Sequence, residues 1–172
     1  SACEAGELFR AVLEGKDDDE IERIARFYDY LEVQPIGNND FLRREGKVDG
    51  IEGLRALNRK IVELGDRLGI PVVATGDVHF LEPDDSIYRT ILMHSKGFAD
   101  SDIQAPLYFK TTDEMLEEFS YLGEDKAYEI VVKNPNMIAD MCDKLKPYLD
   151  EQKTYAPTFP GANEELSNMA IT

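Results

Sequence analysis

The chain has 172 residues, 42% of them hydrophobic, which fits one domain or one domain with an appendage. Its formal net charge of −16, from 35 acidic and 19 basic residues, argues against direct, sequence-independent binding of nucleic acid. No apolar run is long enough for a membrane span, no signal-peptide pattern is present, and two cysteines are too few for a disulfide framework, so we predict a cytoplasmic protein without membrane contact.

The first half of the chain predicts an α/β fold. Apolar periodicity predicts helices at residues 4–13, 17–28 and 51–68, and strands at residues 30–34 and 71–74. Gly69 is expected to end the long helix. Strand, helix and strand within about 45 residues are typical of a parallel βαβ unit with a right-handed crossover.

The second half predicts a helical extension. Helices are expected at residues 83–97, 111–121, 124–133 and 136–144, with a brief extended segment at residues 107–109. Thr111 and Glu114 have the spacing of a capping box. Asn134-Pro135 should separate the last two helices, because the residue before a proline avoids helical geometry. Cys142 falls in an apolar rhythm and is predicted to pack in the core.

Residues 71–81, PVVATGDVHFL, contain the strongest candidate site. Asp77 and His79 follow the second predicted strand two positions apart, so in an extended segment both side chains project to the same side. A carboxylate and an imidazole together suit zinc, manganese or iron better than calcium. The alternative is an N-cap aspartate next to a surface histidine in a loop.

Three further residues are candidates for the same site. Cys3 precedes a predicted helix, whose dipole would favour the thiolate. The alternative, which is the more common position of a single cysteine, is a small, half-buried residue in a turn. Glu32 and Gln34 share one face of the first strand and would line the pocket of Asp77 and His79 if the strands are neighbours. Their alternative position is the solvent face of an edge strand.

The usual glycine-rich loops for dinucleotides and nucleoside triphosphates are absent, as is the GxSxG motif. The chain opens at Ser1 and closes shortly after Glu164-Glu165-Leu166, which is typical of a helix start. We therefore expect a fragment of a longer polypeptide.

Several segments match a known family in the same order along the chain. They are residues 1–9 (SACEAGELF), 27–35 (FYDYLEVQP), 71–81, 111–116 (TTDEML) and 119–123 (FSYLG). Together they resemble the PolC-type bacterial DNA polymerase III alpha subunit family, in the later portion of its PHP (polymerase and histidinol phosphatase) domain, downstream of the inserted exonuclease. The resemblance spans essentially the whole chain.

The resemblance implies a fold and a domain organisation. Residues 1–82 would be the C-terminal part of an irregular PHP-type β/α barrel, residues 83–146 a helical extension of that domain, and residues 147–172 a linker toward the polymerase core. The partners would be the remaining PHP half and the exonuclease and polymerase domains of the same parent chain, with DNA reached only through the parent. A severed barrel leaves an unpaired strand edge, so the fragment would form a homodimer through that edge or cover it with its own helices.

The resemblance also implies a divalent metal centre, with zinc or manganese bound by Cys3, Asp77 and His79 as this segment's share of the ligands. The family's other ligands lie upstream, so we expect weak or absent metal binding by the isolated segment. The parent would be a DNA-directed DNA polymerase with 3′–5′ exonuclease activity, and this piece would contain neither of those active sites. The alternative is part of a free-standing PHP phosphoesterase that uses metal-activated water.

Overall fold

The computed structural model describes residues 1–98, 101–145 and 157–171. The chain divides into two compact units, Ser1–Cys142 and Asp143–Thr172. The second unit contains one described helix, α9 (Ala162–Ile171), which begins next to the predicted helix start at Glu164. Residues 147–156 and Thr172, which belong to the predicted linker, lie outside the described residues.

The first unit contains eight α-helices and two short strands among its described residues. In chain order they are α1 (Glu7–Leu13), α2 (Asp18–Ala25), β1 (Leu31–Val33), α3 (Asp40–Arg44), α4 (Gly50–Leu68), β2 (Val72–Ala74), α5 (Ser86–Ser95), α6 (Thr112–Glu118), α7 (Glu124–Tyr128) and α8 (Asn134–Met141). The sequence predicts most of these elements, with ends that differ by a few residues. Helix α3 was missed, because its five residues fall in a segment that reads as a polar connection.

The predicted βαβ unit is confirmed. Strands β1 and β2 pair in parallel, with Leu31 opposite Val72 and Val33 opposite Ala74, and α4 connects them. Helix α4 ends at Gly69, whose φ of 68° is left-handed, as its sequence position predicts. Part of the core lies between this helix and the sheet. It includes the buried residues Leu31, Val33, Leu54, Ile61, Leu64 and Val72.

Both edges of the small sheet are occupied by polar groups of the chain itself. On the β1 side, the Ser1 nitrogen donates to the Tyr30 carbonyl at 2.7 Å, and the Glu32 amide donates to Ser1 Oγ at 3.0 Å. On the β2 side, Asn134 Nδ2 donates to the Val72 carbonyl at 2.8 Å. These groups satisfy strand atoms that would otherwise be open to another strand.

The helical extension differs from its prediction at Asn134-Pro135. Residues 124–141 are continuously helical, because α7 passes through a π-helical turn, Glu129–Lys133, into α8. Asn134 keeps helical angles (φ −68°, ψ −41°) before the proline, and its buried side chain is anchored on β2. The predicted break is therefore wrong: a widened turn and a tertiary hydrogen bond override the local preference.

Two other expectations for the extension have clear outcomes. The capping box of α6 is confirmed, since Glu114 Oε2 accepts from the Thr111 amide at 2.7 Å. The predicted core position of Cys142 is wrong, because α8 ends at Met141 and leaves the cysteine exposed. Of the helices in the described part of the chain, none has the length and apolar character needed to cross a membrane.

Candidate functional site

The candidate site lies where the two parallel strands end. After β2, the Thr75 amide donates to the Val33 carbonyl at 3.0 Å and extends the pairing by one residue. Asn38 Nδ2 donates a hydrogen bond to the Gly76 carbonyl at 3.1 Å. The His79 amide donates to the Leu107 carbonyl at 2.8 Å. The loop between Thr75 and His79 is thus fixed by three different parts of the chain.

Asp77 and His79 contact each other at this strand end. His79 Nε2 lies 3.3 Å from Asp77 Oδ1, and both side chains are a little under half exposed. The route to this contact differs from the predicted one, because Asp77 has a φ of 50° and leaves the extended region. A left-handed residue between Gly76 and Val78, not strand alternation alone, turns the carboxylate toward the imidazole.

Glu32 and Gln34 do lie beside the end of the neighbouring strand. Glu32 Oε1 accepts from Thr75 Oγ1 at 2.5 Å and from Gln34 Nε2 at 3.4 Å. Gln34 is buried and lines the same cleft as Asp77. The sequence did not single out Thr75, although its position directly after β2 was a usable signal.

Cys3 differs from the prediction in its acidity. Burial raises the pKa of its thiol, and the nearby Glu4 and Glu32 carboxylates raise that pKa further, against an opposing hydrogen bond from the Ala5 backbone. Helix α1 begins only at Glu7, so Cys3 lies outside the first helical turn, where the dipole acts. The expectation of a helix-stabilised thiolate is therefore wrong. The side chain is half-buried, which agrees with the alternative turn position.

A cleft of about 360 Å³ opens beside Asp77. Its polar lining residues carry amide, cationic and acidic side chains: Gln34, Asn38, Arg44, Arg89, Glu4 and Glu45. Asn38 was also missed by the sequence, which indicated only turn chemistry there. Its Oδ1 is buried without a hydrogen-bond partner among the described residues.

The structure brings together some of the predicted ligands and not others. Asp77 and His79 are in contact. Cys3 interacts electrostatically with Glu32 but does not form a common cluster with Asp77 and His79. Across residues 1–98, 101–145 and 157–171, no group of three or more histidine, cysteine, aspartate or glutamate side chains is placed to hold a metal ion.

Comparison with known proteins gives a consistent answer along the whole chain. The chain is 55% identical over 171 residues to the DNA polymerase III PolC-type of Clostridium perfringens and 52% identical over 171 residues to that of Caldanaerobacter subterraneus subsp. tengcongensis. It is 45% identical over 173 residues to that of Bacillus subtilis. Each match covers 99% of the chain but only 12% of the relative. No family model matches the chain. The chain is therefore similar, along nearly its whole length, to one segment of PolC-type DNA polymerase III, as its sequence motifs predict.

Proposed function

We propose that this segment is the C-terminal part of the PHP domain of a replicative DNA polymerase, where it contributes metal ligands and structural support. The observation that carries the proposal is the 42–55% identity to PolC-type polymerases along about 99% of the chain. The parallel βαβ unit is compatible with part of a β/α barrel. DNA synthesis and proofreading would be performed by other parts of the parent polypeptide, in agreement with the strongly acidic charge of this piece.

The donor atoms fit a share of a divalent metal site. Asp77 and His79 offer a carboxylate and an imidazole within 3.3 Å of each other at the end of a parallel strand pair. This donor pair suits zinc or manganese. To bind a metal ion, Asp77 and His79 would have to give up their contact with each other. Cys3 would have to lose a thiol proton that burial helps to retain. Ligands from the rest of the parent would therefore be needed to complete the site.

Two or three ligands without their neighbours hold a metal weakly, because outer-shell groups orient the ligands and contribute to affinity. We therefore keep the prediction that the isolated segment binds metal weakly or not at all. The comparisons favour the polymerase segment over a free-standing PHP phosphoesterase, since the relatives named above are all PolC-type polymerases.

Metal analysis of a complete PolC-type polymerase containing this segment tests the proposal. Asp77→Asn and His79→Gln are each expected to lose at least about half of the bound zinc or manganese, because each removes one direct ligand. Asp49→Asn is a matched control, since Asp49 is an exposed aspartate before α4 whose side chain makes no capping hydrogen bond to the helix. Wild-type metal content in both site variants would show that the ligand assignment is wrong.

A further inference from the structure

Lys110 carries a buried ammonium group. Among the described residues it is the one charged residue that is buried, and its side chain is only 2% exposed. Removing an ammonium from water costs free energy unless the group gains partners inside the protein. The position of Lys110 is therefore explained by the groups that its side chain contacts.

The Lys110 ammonium connects α6 to the residues that precede it. Its Nζ donates to the Pro106 carbonyl at 2.7 Å and lies 4.1 Å from the centre of the Tyr108 ring, over which a cation is attracted. The same Nζ lies 3.9 Å from Glu118 Oε1, in the last residue of α6. We call residues 105–109 the bracing segment. Lys110 fixes this segment against α6 through three different groups.

The bracing segment is in turn hydrogen-bonded to the backbone of His79. The Leu107 carbonyl accepts from the His79 amide at 2.8 Å and from the Phe80 amide at 3.3 Å. The Phe109 amide donates to the Phe80 carbonyl at 3.0 Å, so the two stretches pair in parallel. The carbonyl that Lys110 holds belongs to the residue immediately before Leu107. The position of the buried ammonium is therefore transmitted to the His79 backbone over one peptide unit.

A second contact fixes the bracing segment from another direction. A Cβ added at Gly37 would lie 2.7 Å from Pro106 Cγ, so the glycine backbone and the proline ring are in close contact. Gly37 precedes Asn38, whose Nδ2 donates to the Gly76 carbonyl. The bracing segment thus touches the supports of the candidate site on both sides of Asp77.

We propose that Lys110 is a positioning residue for the metal site: it fixes the His79 imidazole relative to the Asp77 carboxylate through the bracing segment. An ammonium has donors and no acceptor, so Lys110 does not itself bind the metal. Groups that orient a ligand typically change metal affinity by about 10–100-fold when they are removed. This inference rests on the proposed function, in that Asp77 and His79 are taken as metal ligands.

Amide hydrogen exchange tests the positioning without any metal. Lys110→Met in the 172-residue chain keeps most of the aliphatic side chain and removes the ammonium. The His79 and Phe80 amides, followed by NMR, should exchange about tenfold faster, because the bracing segment would open more often. Amides in the middle of α4 should keep their wild-type rates. Lys96→Met, at an exposed lysine that follows α5, is the matched control and should leave all these rates unchanged.

Gly37→Ala perturbs the bracing segment from its other side and keeps the Lys110 ammonium. The added Cβ would displace the Pro106 ring, so the His79 and Phe80 amides should again exchange faster than in wild type. This variant decides the question if Lys110→Met does not fold. The inference is overturned if the two amides keep wild-type rates in every variant that folds. It is also overturned if exchange in Lys110→Met accelerates equally in α4, because Lys110 would then only stabilise the fold.

Zinc affinity of a complete PolC-type polymerase containing this segment tests the consequence for the metal. For the zinc that wild type binds and His79→Gln loses, Lys110→Met should weaken binding by about 10–100-fold, and Lys96→Met should not. In the His79→Gln background, Lys110→Met should have less than about a twofold effect on zinc affinity, because it acts through His79.

Unchanged zinc affinity in Lys110→Met, or an equal loss with and without His79, would overturn the inference. Wild-type zinc content in both Asp77→Asn and His79→Gln would instead show that the proposed function is wrong. The exchange rates of the metal-free chain are measured separately from zinc binding, so the two failures can be distinguished.

Discussion

Asn58 links the candidate site to the helical extension, and its removal should destabilise the first unit. The side chain is buried in the middle of α4. Its Nδ2 donates to the Gln34 carbonyl at 2.9 Å and to the Tyr121 hydroxyl at 3.0 Å. One amide group thereby connects the end of β1, the long helix and the segment after α6.

The expected loss in the free energy of unfolding of Asn58→Ala follows from these two hydrogen bonds. Each contributes about 1 kcal/mol net, and the Gln34 carbonyl, in a residue that is itself buried, would lose its side-chain donor at an additional cost of about 1 kcal/mol or more. We expect the free energy of unfolding to fall by about 2–4 kcal/mol. Asn136→Ala is the matched control, because Asn136 is an exposed helical asparagine whose Nδ2 donates to the Val132 carbonyl.

Urea denaturation followed by circular dichroism measures both variants. The midpoint for Asn58→Ala should fall with an unchanged m-value, whereas the free energy of unfolding of Asn136→Ala should stay within about 0.5 kcal/mol of wild type. If the two alanine variants have the same stability, Asn58 does not bridge the strand and the extension as described.

Two other predictions concern α4 and α6. Gly65→Ala should lower the free energy of unfolding by about 1–3 kcal/mol in the same assay, because the added Cβ would lie 2.8 Å from the Ile70 carbonyl oxygen and press on Val72; a stabilised variant would contradict this close approach. The Thr111 amide and hydroxyl hold the pKa of Glu114 below its usual value of 4.5, so this carboxylate stabilises the fold above pH 4.5 and the effect is lost as pH falls through the lowered pKa. The urea midpoint of Glu114→Gln should therefore lie below that of wild type at pH 7 and converge with it in acid, and a difference that persists in acid would refute the role of the charge.

The sequence predicted the site's location better than its geometry. Asp77, His79, Glu32 and Gln34 do lie at the ends of neighbouring parallel strands, because βαβ topology brings those ends together. Spacing could not show the left-handed φ of Asp77, nor the raised pKa of the Cys3 thiol. Both depend on which groups surround the residue in space.

Local chemistry by itself determined the elements with strong signals of their own. The apolar stripe of α4 follows from the periodicity of its sequence, and the end of this helix at Gly69 follows from the conformational freedom of glycine. The Thr111–Glu114 capping box depends only on contacts between residues three positions apart. Tertiary structure decided the continuity of the helix through Asn134-Pro135 and the outward orientation of α5. A periodic pattern shows that a helix has an apolar side, but only the neighbouring elements determine whether that side meets the core of the same segment or another surface.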